Sequence, residues 1–418
     1  VALTFDDGPT LGITDKVYIA NSDLISKYLN SIEIKSNKNN QNEVSLPPFA
    51  SFSNMKSQKI SLTPSTLFNR HLMAVGTTNS GKSTSSLSIL DKLIKQRKKT
   101  LIIDPTGEYI EAFSDVNSLT LGEDTVISTG ELSSQQWEIL FETNDNTQGS
   151  ILSEAMKSLR FQKQTQTSSV YKKIGKSPAE VDADMTTVIE RGFDLSLLPS
   201  QINQESVEIS NRAPNVGKYV YNTFGANVNA WLVQKVQHKL SNSSFTTFFG
   251  DDPSKSNLIS KLNEFSHSEN SSLYIDCSKI GTTDGIGGMI VDLISNHLIN
   301  LDKIDIKPFV MFIDEVHRYT KSVTNELDYH TGLTSIARAG RKKVVFLFLT
   351  TQNPNDVPDI LLGQIGTLLI HRLTHSEELR AIQNHLKNHT LGQIKKLNQG
   401  ESILTSINLL QDIHITID

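Results

Sequence analysis

The sequence holds a single cysteine, Cys277, among 418 residues. An internal disulfide is therefore excluded, and the chain suits a reducing cytoplasm. No apolar run is long enough to span a bilayer, and no secretory signal pattern is present. Positive charge is not in excess. The 40 Lys and Arg against 45 Asp and Glu give a formal net charge of -5, which excludes a surface that is basic throughout. A basic channel on an otherwise acidic body stays compatible with that balance. No internal repeat is visible. The chain opens at Val1 rather than at a methionine, which points to a native N-terminus upstream.

What is present reads as a globular protein. Hydrophobic content of 37% and charged content of 20% are ordinary for one. The length calls for one large α/β domain with an appended or inserted segment. The first segment, 1–70, is uneven. Residues 17–20 suggest a strand, 22–29 a short capped helix, and Ile60 with Leu62 another short strand. The Asn- and Lys-rich stretch 36–43 has no periodicity and reads as a surface loop.

From His71 short apolar runs recur at 72–75, 101–103, 273–275, 309–313, 344–349 and 368–370. Unbroken rather than alternating apolarity marks strands buried on both faces, as in a parallel sheet. Helical stretches at 84–96 and 287–298 supply a βαβ rhythm. Between about 133 and 261 helical patterns replace strands, at 135–142, 150–159 and 226–240. That stretch reads as a helical insertion, with the polar run 162–177 as a mobile connection. Residues 402–405 and 413–417 suggest a terminal β-hairpin.

Two motifs carry chemistry. Gly76-Thr77-Thr78-Asn79-Ser80-Gly81-Lys82-Ser83 fits G-x-x-x-x-G-K-[ST] between a predicted strand and a predicted helix. Gly81 lets the backbone approach an oxyanion, and the helix N-terminus adds free N–H groups and partial positive charge. Lys82 suits the β- and γ-phosphates of ATP, and the Ser83 hydroxyl can ligate Mg²⁺. Asn79 fits a left-handed position. The second motif is Asp314-Glu315, delivered by the apolar run 309–313 at a strand's carboxyl end, where open α/β sheets bind ligands. Asp314 would hold Mg²⁺ through water. Glu315 would orient or deprotonate the attacking water.

Beyond these motifs, the run from His71 through Gly76 to Thr84 resembles the opening of the HerA branch of the HerA/FtsK motor ATPases, bacterial type. Asp104-Pro105-Thr106-Gly107-Glu108-Tyr109 matches that branch's second-strand signature. Asp314-Glu315-Val316-His317-Arg318-Tyr319 resembles its extended acidic motif. Ala337-Arg338-Ala339-Gly340-Arg341-Lys342, followed by an apolar strand ending Thr350-Thr351-Gln352, completes the set in the family's order. Asn79 stands where a glycine is usual and Val316 where an alanine is usual.

The resemblance implies a RecA-like P-loop NTPase core over 71–418 with a mostly parallel sheet and the helical insertion. It also implies that 1–70 is a remnant of an N-terminal β-barrel, with Thr10-Leu11-Gly12 at its exit. Family members are hexameric rings that thread double-stranded DNA by ATP hydrolysis. Gln352 then becomes the polar sensor of the γ-phosphate. Arg338 or Arg341 becomes a finger reaching a neighbour's nucleotide, and Asp104 and Glu108 sit near the site. A separate effector is implied, a nuclease or a sirtuin-like NAD-consuming protein, in some relatives within antiviral defence. A rival expectation is a nucleotide-gated ring scaffold that assembles an effector, with DNA motion secondary.

Other residues invite plainer readings. His371 with His375, and His385 with His389, are spaced i, i+4 but lack a completing carboxylate, so they read as solvated or locally hydrogen-bonded. Cys277 reads as a buried small hydrophobe. Lys95, Arg97, Lys98 and Lys99 read as a basic run at a helix C-terminus. Trp137 and Trp231 read as packing residues.

Overall fold

Apolar runs with no polar interruption cannot present a wet face, so they stack side by side under helices. The computed structural model describes residues 14, 16, 18, 21–34, 43–53, 55–113, 116–143, 147–241, 243–250, 252–280, 286–301, 306–320, 332–387 and 390–417. Its main sheet contains β1 (Ala50–Phe52), β2 (Met55–Ile60), β3 (Leu72–Val75), β4 (Lys99–Asp104), β5 (Asn117–Thr120) and β6 (Leu273–Asp276). It continues with β7 (Phe309–Ile313), β8 (Val345–Thr351), β9 (Thr367–Ile370), β10 (Glu401–Ser406) and β11 (Ile413–Ile417). The spatial order is β2-β1-β11-β10-β9-β3-β8-β7-β4-β6-β5. Strands β9, β3, β8, β7, β4 and β6 pair in parallel. The pairs β9–β10, β10–β11, β11–β1 and β1–β2 are antiparallel. Every residue of β3, β4, β7 and β9 is buried, as the unbroken apolar runs require.

The chain forms two compact units. The first comprises 1–118, 265–278 and 290–418 and carries the sheet's parallel core. The terminal hairpin expected at 402–417 is β10 and β11. Asn21 caps the helix Ser22–Ile32 by accepting from the Leu24 N–H at 2.9 Å. The strand expected at 17–20 has only Tyr18 described; Val17, Ile19 and Ala20, the Thr10-Leu11-Gly12 stretch, residues 36–42 and His389 lie outside the described residues. β1 and β2 extend the antiparallel edge of the main sheet through β11.

Helix Lys82–Lys95 follows β3 and buries Ser85, Ser86, Ile89, Leu90 and Leu93, a stripe at helical spacing. Lys95 pairs with Asp91 one turn back at 2.9 Å. Lys99 departs from the expected basic run. It belongs to β4 and is buried, with its ammonium on the carbonyls of Ser266 (2.7 Å) and Ser268 (2.9 Å) and over the Phe265 ring. Those carbonyls lie at and just past the end of helix Leu258–His267, so the lysine does cap a helix C-terminus, but another helix's. Burial draws its pKa down to about 8.

The second unit comprises 119–264 and 279–289. It holds helices Ser134–Leu140, Gln148–Gln164, Pro178–Thr186, Leu198–Gln204 and Thr223–Ser241, and a small hairpin, Val207–Ile209 with Tyr219–Tyr221. Trp137 is fully buried. It stacks on Phe141 at 5.6 Å between centroids, and Phe193 and Phe249 close around it. The polar run 162–177 is not a loose connection. Tyr171 is buried edge-on to Phe161, and Lys173 is buried in an ion pair with Glu205. Glu205 in turn accepts from Ser158 and Gln201, so the charges are fully partnered. Most of the run is exposed, and it is anchored by Tyr171 and Lys173, which reach inward.

Trp231 overturns its packing expectation and stands 69% exposed. Helix Thr223–Ser241 packs through Leu232, Val233 and Val236, which turns Trp231 outward. The two tryptophans therefore separate in a mutational test. Trp137→Ala should cost about 3–5 kcal/mol, the usual cost of emptying a large core site, whereas Trp231→Ala should stay within about 0.5 kcal/mol. Urea unfolding followed by circular dichroism measures both, and similar losses would contradict the packing described.

Candidate active site

Parallel pairing in register brings the ends of β3, β8, β7 and β4 to one edge. Val75 pairs with Thr351, Ile313 with Leu349 and with Ile103. The loop after β3 therefore opens beside Gln352, which follows β8. Asp314 and Glu315 follow β7, and Asp104 ends β4. All of these groups belong to the first unit.

The loop 76–83 is shaped by backbone constraints. Asn79 has φ 61°, the left-handed position expected of it. Gly81 has φ 101°, and a Cβ there would lie 2.8 Å from the Gly400 nitrogen. A Cβ on Gly76 would strike the His371 Cβ at 2.5 Å. The loop is thus held against the turn before β10, and the Gly400 N–H donates to the Ser80 carbonyl at 3.0 Å. On its other side the Thr77 N–H donates to the Arg372 carbonyl at 3.1 Å.

His371 lies beneath this loop, buried, with Nε2 2.9 Å from Ser85 Oγ and Nδ1 3.1 Å from the Glu401 carbonyl. The carbonyl can only accept, so Nδ1 carries a proton, while the Ser85 hydroxyl also donates to the Gly81 carbonyl at 2.9 Å. Burial lowers the His371 pKa to about 4, so the ring stays neutral. The locally hydrogen-bonded reading of His371 holds.

Lys82 is buried at the start of its helix, and its ammonium lies 2.7 Å from Glu315 Oε1. The same oxygen accepts from Gln352 Nε2 at 3.0 Å, and the Gln352 amide oxygen accepts from Thr78 Oγ1 at 3.2 Å. Gln352 therefore bridges the phosphate loop and Glu315. His317 Nδ1 approaches Glu315 Oε2 at 3.2 Å. Burial acts to raise the Glu315 pKa, but His317, the Lys82 ammonium and Gln352 outweigh it and hold the carboxyl near 2. Glu315 is ionised and able to accept a proton or orient water.

Asp314 behaves in the opposite sense. Burial pushes its pKa up to about 6, with the Glu315 charge adding and a hydrogen bond from Thr350 opposing. The Thr350 hydroxyl donates to Asp314 Oδ1 at 2.6 Å and accepts the Glu315 N–H at 2.8 Å. One side chain on β8 therefore fixes both acids of β7. Tyr109 completes the arrangement. Its hydroxyl donates to Asp314 Oδ1 at 3.3 Å and also interacts with Ser83.

The residues fit Mg²⁺. Ser83 and Asp314 meet at one tyrosine hydroxyl, and a buried carboxylate with a raised pKa gains most from a nearby dication. Asp104 is not free to join them. Its Oδ1 accepts from the Thr106 N–H and hydroxyl, and its Oδ2 from the Tyr109 N–H and the Tyr274 hydroxyl. It shapes the loop that delivers Tyr109, while Glu108 on that loop is exposed. Arg338 and Arg341 lie away from this edge. They precede β8, whose 7 residues put them roughly 20 Å from its Gln352 end at about 3.3 Å per residue. Both are exposed and form no ion pair among the described residues. Thr350, Tyr109 and His317 carried no role in the sequence reading, and Thr78 was read only as part of the phosphate loop. Thr350 sat inside a motif already noticed, and only the pairing of β8 with β7 reveals what it touches.

A phosphate loop facing an ionised acid at the switch edge of a parallel sheet defines a P-loop ATPase of RecA-like fold. A family model for the helicase HerA central domain matches residues 50–298, and one for the helicase HerA-like C-terminal region matches 290–408. The chain belongs to the HerA family. Among solved structures, VirB4 of Thermoanaerobacter pseudethanolicus superposes with a TM-score of 0.59 at 14% identity, over 90% of this chain and 97% of that one. The bacterial conjugative coupling protein TrwB gives 0.56 at 13% identity, over 89% and 90%. TrwB bound to ADP and Mg²⁺ gives 0.54 at 13% identity, over 90% and 95%. At such identities the likeness is one of fold. No curated protein matches the sequence.

The opposed pKa shifts give a pH test. Asp314, raised, removes stability as pH rises toward about 6, whereas Glu315 contributes stability that is lost as pH falls toward about 2. Affinity for Mg²⁺–nucleotide should therefore climb as pH rises through about 6, and Asp314→Asn should flatten that rise. Titration of a fluorescent ATP analogue between pH 5 and 8, roughly the window in which such a group changes charge, measures it. A pH-independent wild-type affinity would contradict the assignment.

Proposed function

We propose that this chain is the ATP-hydrolysing subunit of a ring, six-membered by family resemblance, that moves double-stranded DNA. It works with a separate effector, a nuclease or NAD-consuming partner, in a setting such as antiviral defence. The observation that carries the reading is the separation along β8. Gln352 at one end touches the chain's own site, while Arg338 and Arg341, exposed and without an ion pair among the described residues, stand at the other. An exposed arginine pair placed away from its own nucleotide is suited to a neighbour's.

Within one site the contacts support the following roles. Lys82 binds the β- and γ-phosphates once it exchanges Glu315 for them. Glu315 takes the proton of the attacking water, and Gln352 senses the γ-phosphate through Thr78. Ser83 and Asp314 would hold Mg²⁺, which would supply charge neutralisation for the phosphates. TrwB solved with ADP and Mg²⁺ supports nucleotide and metal use in this fold. Among the described residues no helix is long and apolar enough to cross a membrane.

Lys82→Ala should abolish tight ATP binding. Glu315→Gln should bind ATP but not turn it over; near-normal turnover would remove Glu315 from the chemistry. Arg341→Ala, or failing that Arg338→Ala, should bind ATP and hydrolyse it poorly, a finger being worth about 10³–10⁵ in rate where measured. Mixed with Lys82→Ala, the arginine variant should regain activity, because some interfaces then hold an intact loop and an intact finger.

Duplex DNA should stimulate hydrolysis and bind with little sequence preference. Affinity should fall steeply with salt, as phosphate-dominated binding does. Hydrolysis that answers only to a protein partner, with no duplex binding, would replace the motor with a ring scaffold.

A further inference from the structure

His71 is buried ahead of β3 in a left-handed conformation, φ 58°, that a side chain with a Cβ adopts only at a cost. Its ring joins two backbone groups from other elements. Nδ1 accepts the Leu347 N–H at 2.9 Å, so Nε2 carries the proton and donates to the Ala337 carbonyl at 3.0 Å. Leu347 sits one residue before β8 begins to pair with β3, at Phe348 and Leu72. Ala337 lies in the last turn of helix Gly332–Ala339, where carbonyls lack a partner within the helix. Burial lowers the pKa of the ring, which suits one fixed neutral tautomer.

The helix so held is the one that carries Arg338. At its other end the Gly332 N–H donates to the Asp292 carboxylate, and a Cβ on Gly332 would lie 2.7 Å from the Asp292 carbonyl. Beyond the helix, the turn Gly340–Lys343 carries Arg341, and a Cβ on Gly340 would lie 2.5 Å from the Val345 carbonyl. The arginine-bearing segment is therefore fixed at three points. His71 ties it, through the Ala337 carbonyl, to the strand that runs on into the phosphate loop.

We infer that His71 is a positioning residue for Arg338 and Arg341, setting the arginine segment of each subunit in fixed relation to that subunit's own phosphate-loop strand. The inference rests on the reading that one of these arginines acts on a neighbour's nucleotide. His71 itself touches no nucleotide. It keeps the donated guanidinium in register with the strand that ends at Gly76.

His71→Asn is the informative variant. Asn tolerates the left-handed backbone. Its amide oxygen takes the place of Nδ1 and keeps an acceptor for Leu347, while nothing reaches Ala337. ATP affinity should stay within about twofold and kcat should fall on the order of 10–100-fold, the scale of a misplaced catalytic group. His71→Gln, whose amide nitrogen can reach the place of Nε2, should recover part of that loss. It also serves if the asparagine variant does not fold.

Subunit mixing supplies the decisive readout. His71→Asn should be rescued by Lys82→Ala subunits, which bring an intact arginine segment, and not by Arg341→Ala subunits (or Arg338→Ala, whichever single variant is inactive). Rescue by the arginine variant would place the defect in the chain's own nucleotide site and overturn the inference, as would full activity of His71→Asn. Should the arginine variant itself fail to complement Lys82→Ala, the interfacial reading falls and this inference with it. Success of that pair combined with the wrong partner for His71→Asn defeats the inference alone.

Discussion

The site depends on strands that end level with one another. β3, β8, β7 and β4 lie side by side in parallel register, so the loop at 76–83, Gln352, the acidic pair and Asp104 reach one edge without any long side chain having to span a gap. A slip of one residue between β8 and β7 would carry the Thr350 hydroxyl to the opposite face and release both acids. The unbroken apolarity of these strands, which gives the sheet its burial, is thus also what fixes the distances between reacting groups.

Burying Lys82, Asp104, Asp314 and Glu315 at that edge has to be offset locally, because an unpartnered charge in such a place costs several kcal/mol. Lys82 and Glu315 neutralise each other, and Glu315 keeps a second donor in Gln352 on the same oxygen. When phosphate competes for Lys82, the carboxylate is not left bare. Asp314 has no cationic neighbour as close among the described residues, and burial, with the Glu315 charge, raises its pKa. The two acids are adjacent in sequence and opposite in electrostatic condition, a division that fits the metal-holding and proton-accepting roles proposed for them.

Much of this was legible in the sequence because it lies in local patterns. The loop from Gly76, the Asp314-Glu315 pair, the buried strands and the left-handed Asn79 all follow from spacing and residue type. What was not legible depends on pairing across long stretches of chain. Thr350 was noticed as part of a strand end, yet its double hydrogen bond requires knowing that β8 lies beside β7. Asp104 reads as a site acid by position, but its lone pairs are taken by Thr106, Tyr109 and Tyr274. Lys99 looked like the tail of a helix and is a buried strand residue. Trp231 follows the same helical pattern as its buried neighbours and is turned outward by one residue's rotation. Periodicity can name a helix without settling which face meets the core.

Seven described residues with side chains hold left-handed backbone conformations, and three of them, His71, Asn79 and Glu315, with φ of 58°, 61° and 46°, lie along the path to the site. One precedes the phosphate-loop strand, one lies within the loop and one is the ionised acid itself. Each such position stores about 1–3 kcal/mol of strain, and glycine would relieve it at all three. Asn79 is exposed and can take glycine with little else lost, whereas glycine at Glu315 would strip the buried Lys82 of its counter-charge. Laboratory evolution under thermal selection would therefore settle first at Asn79 and leave the strain at Glu315 in place.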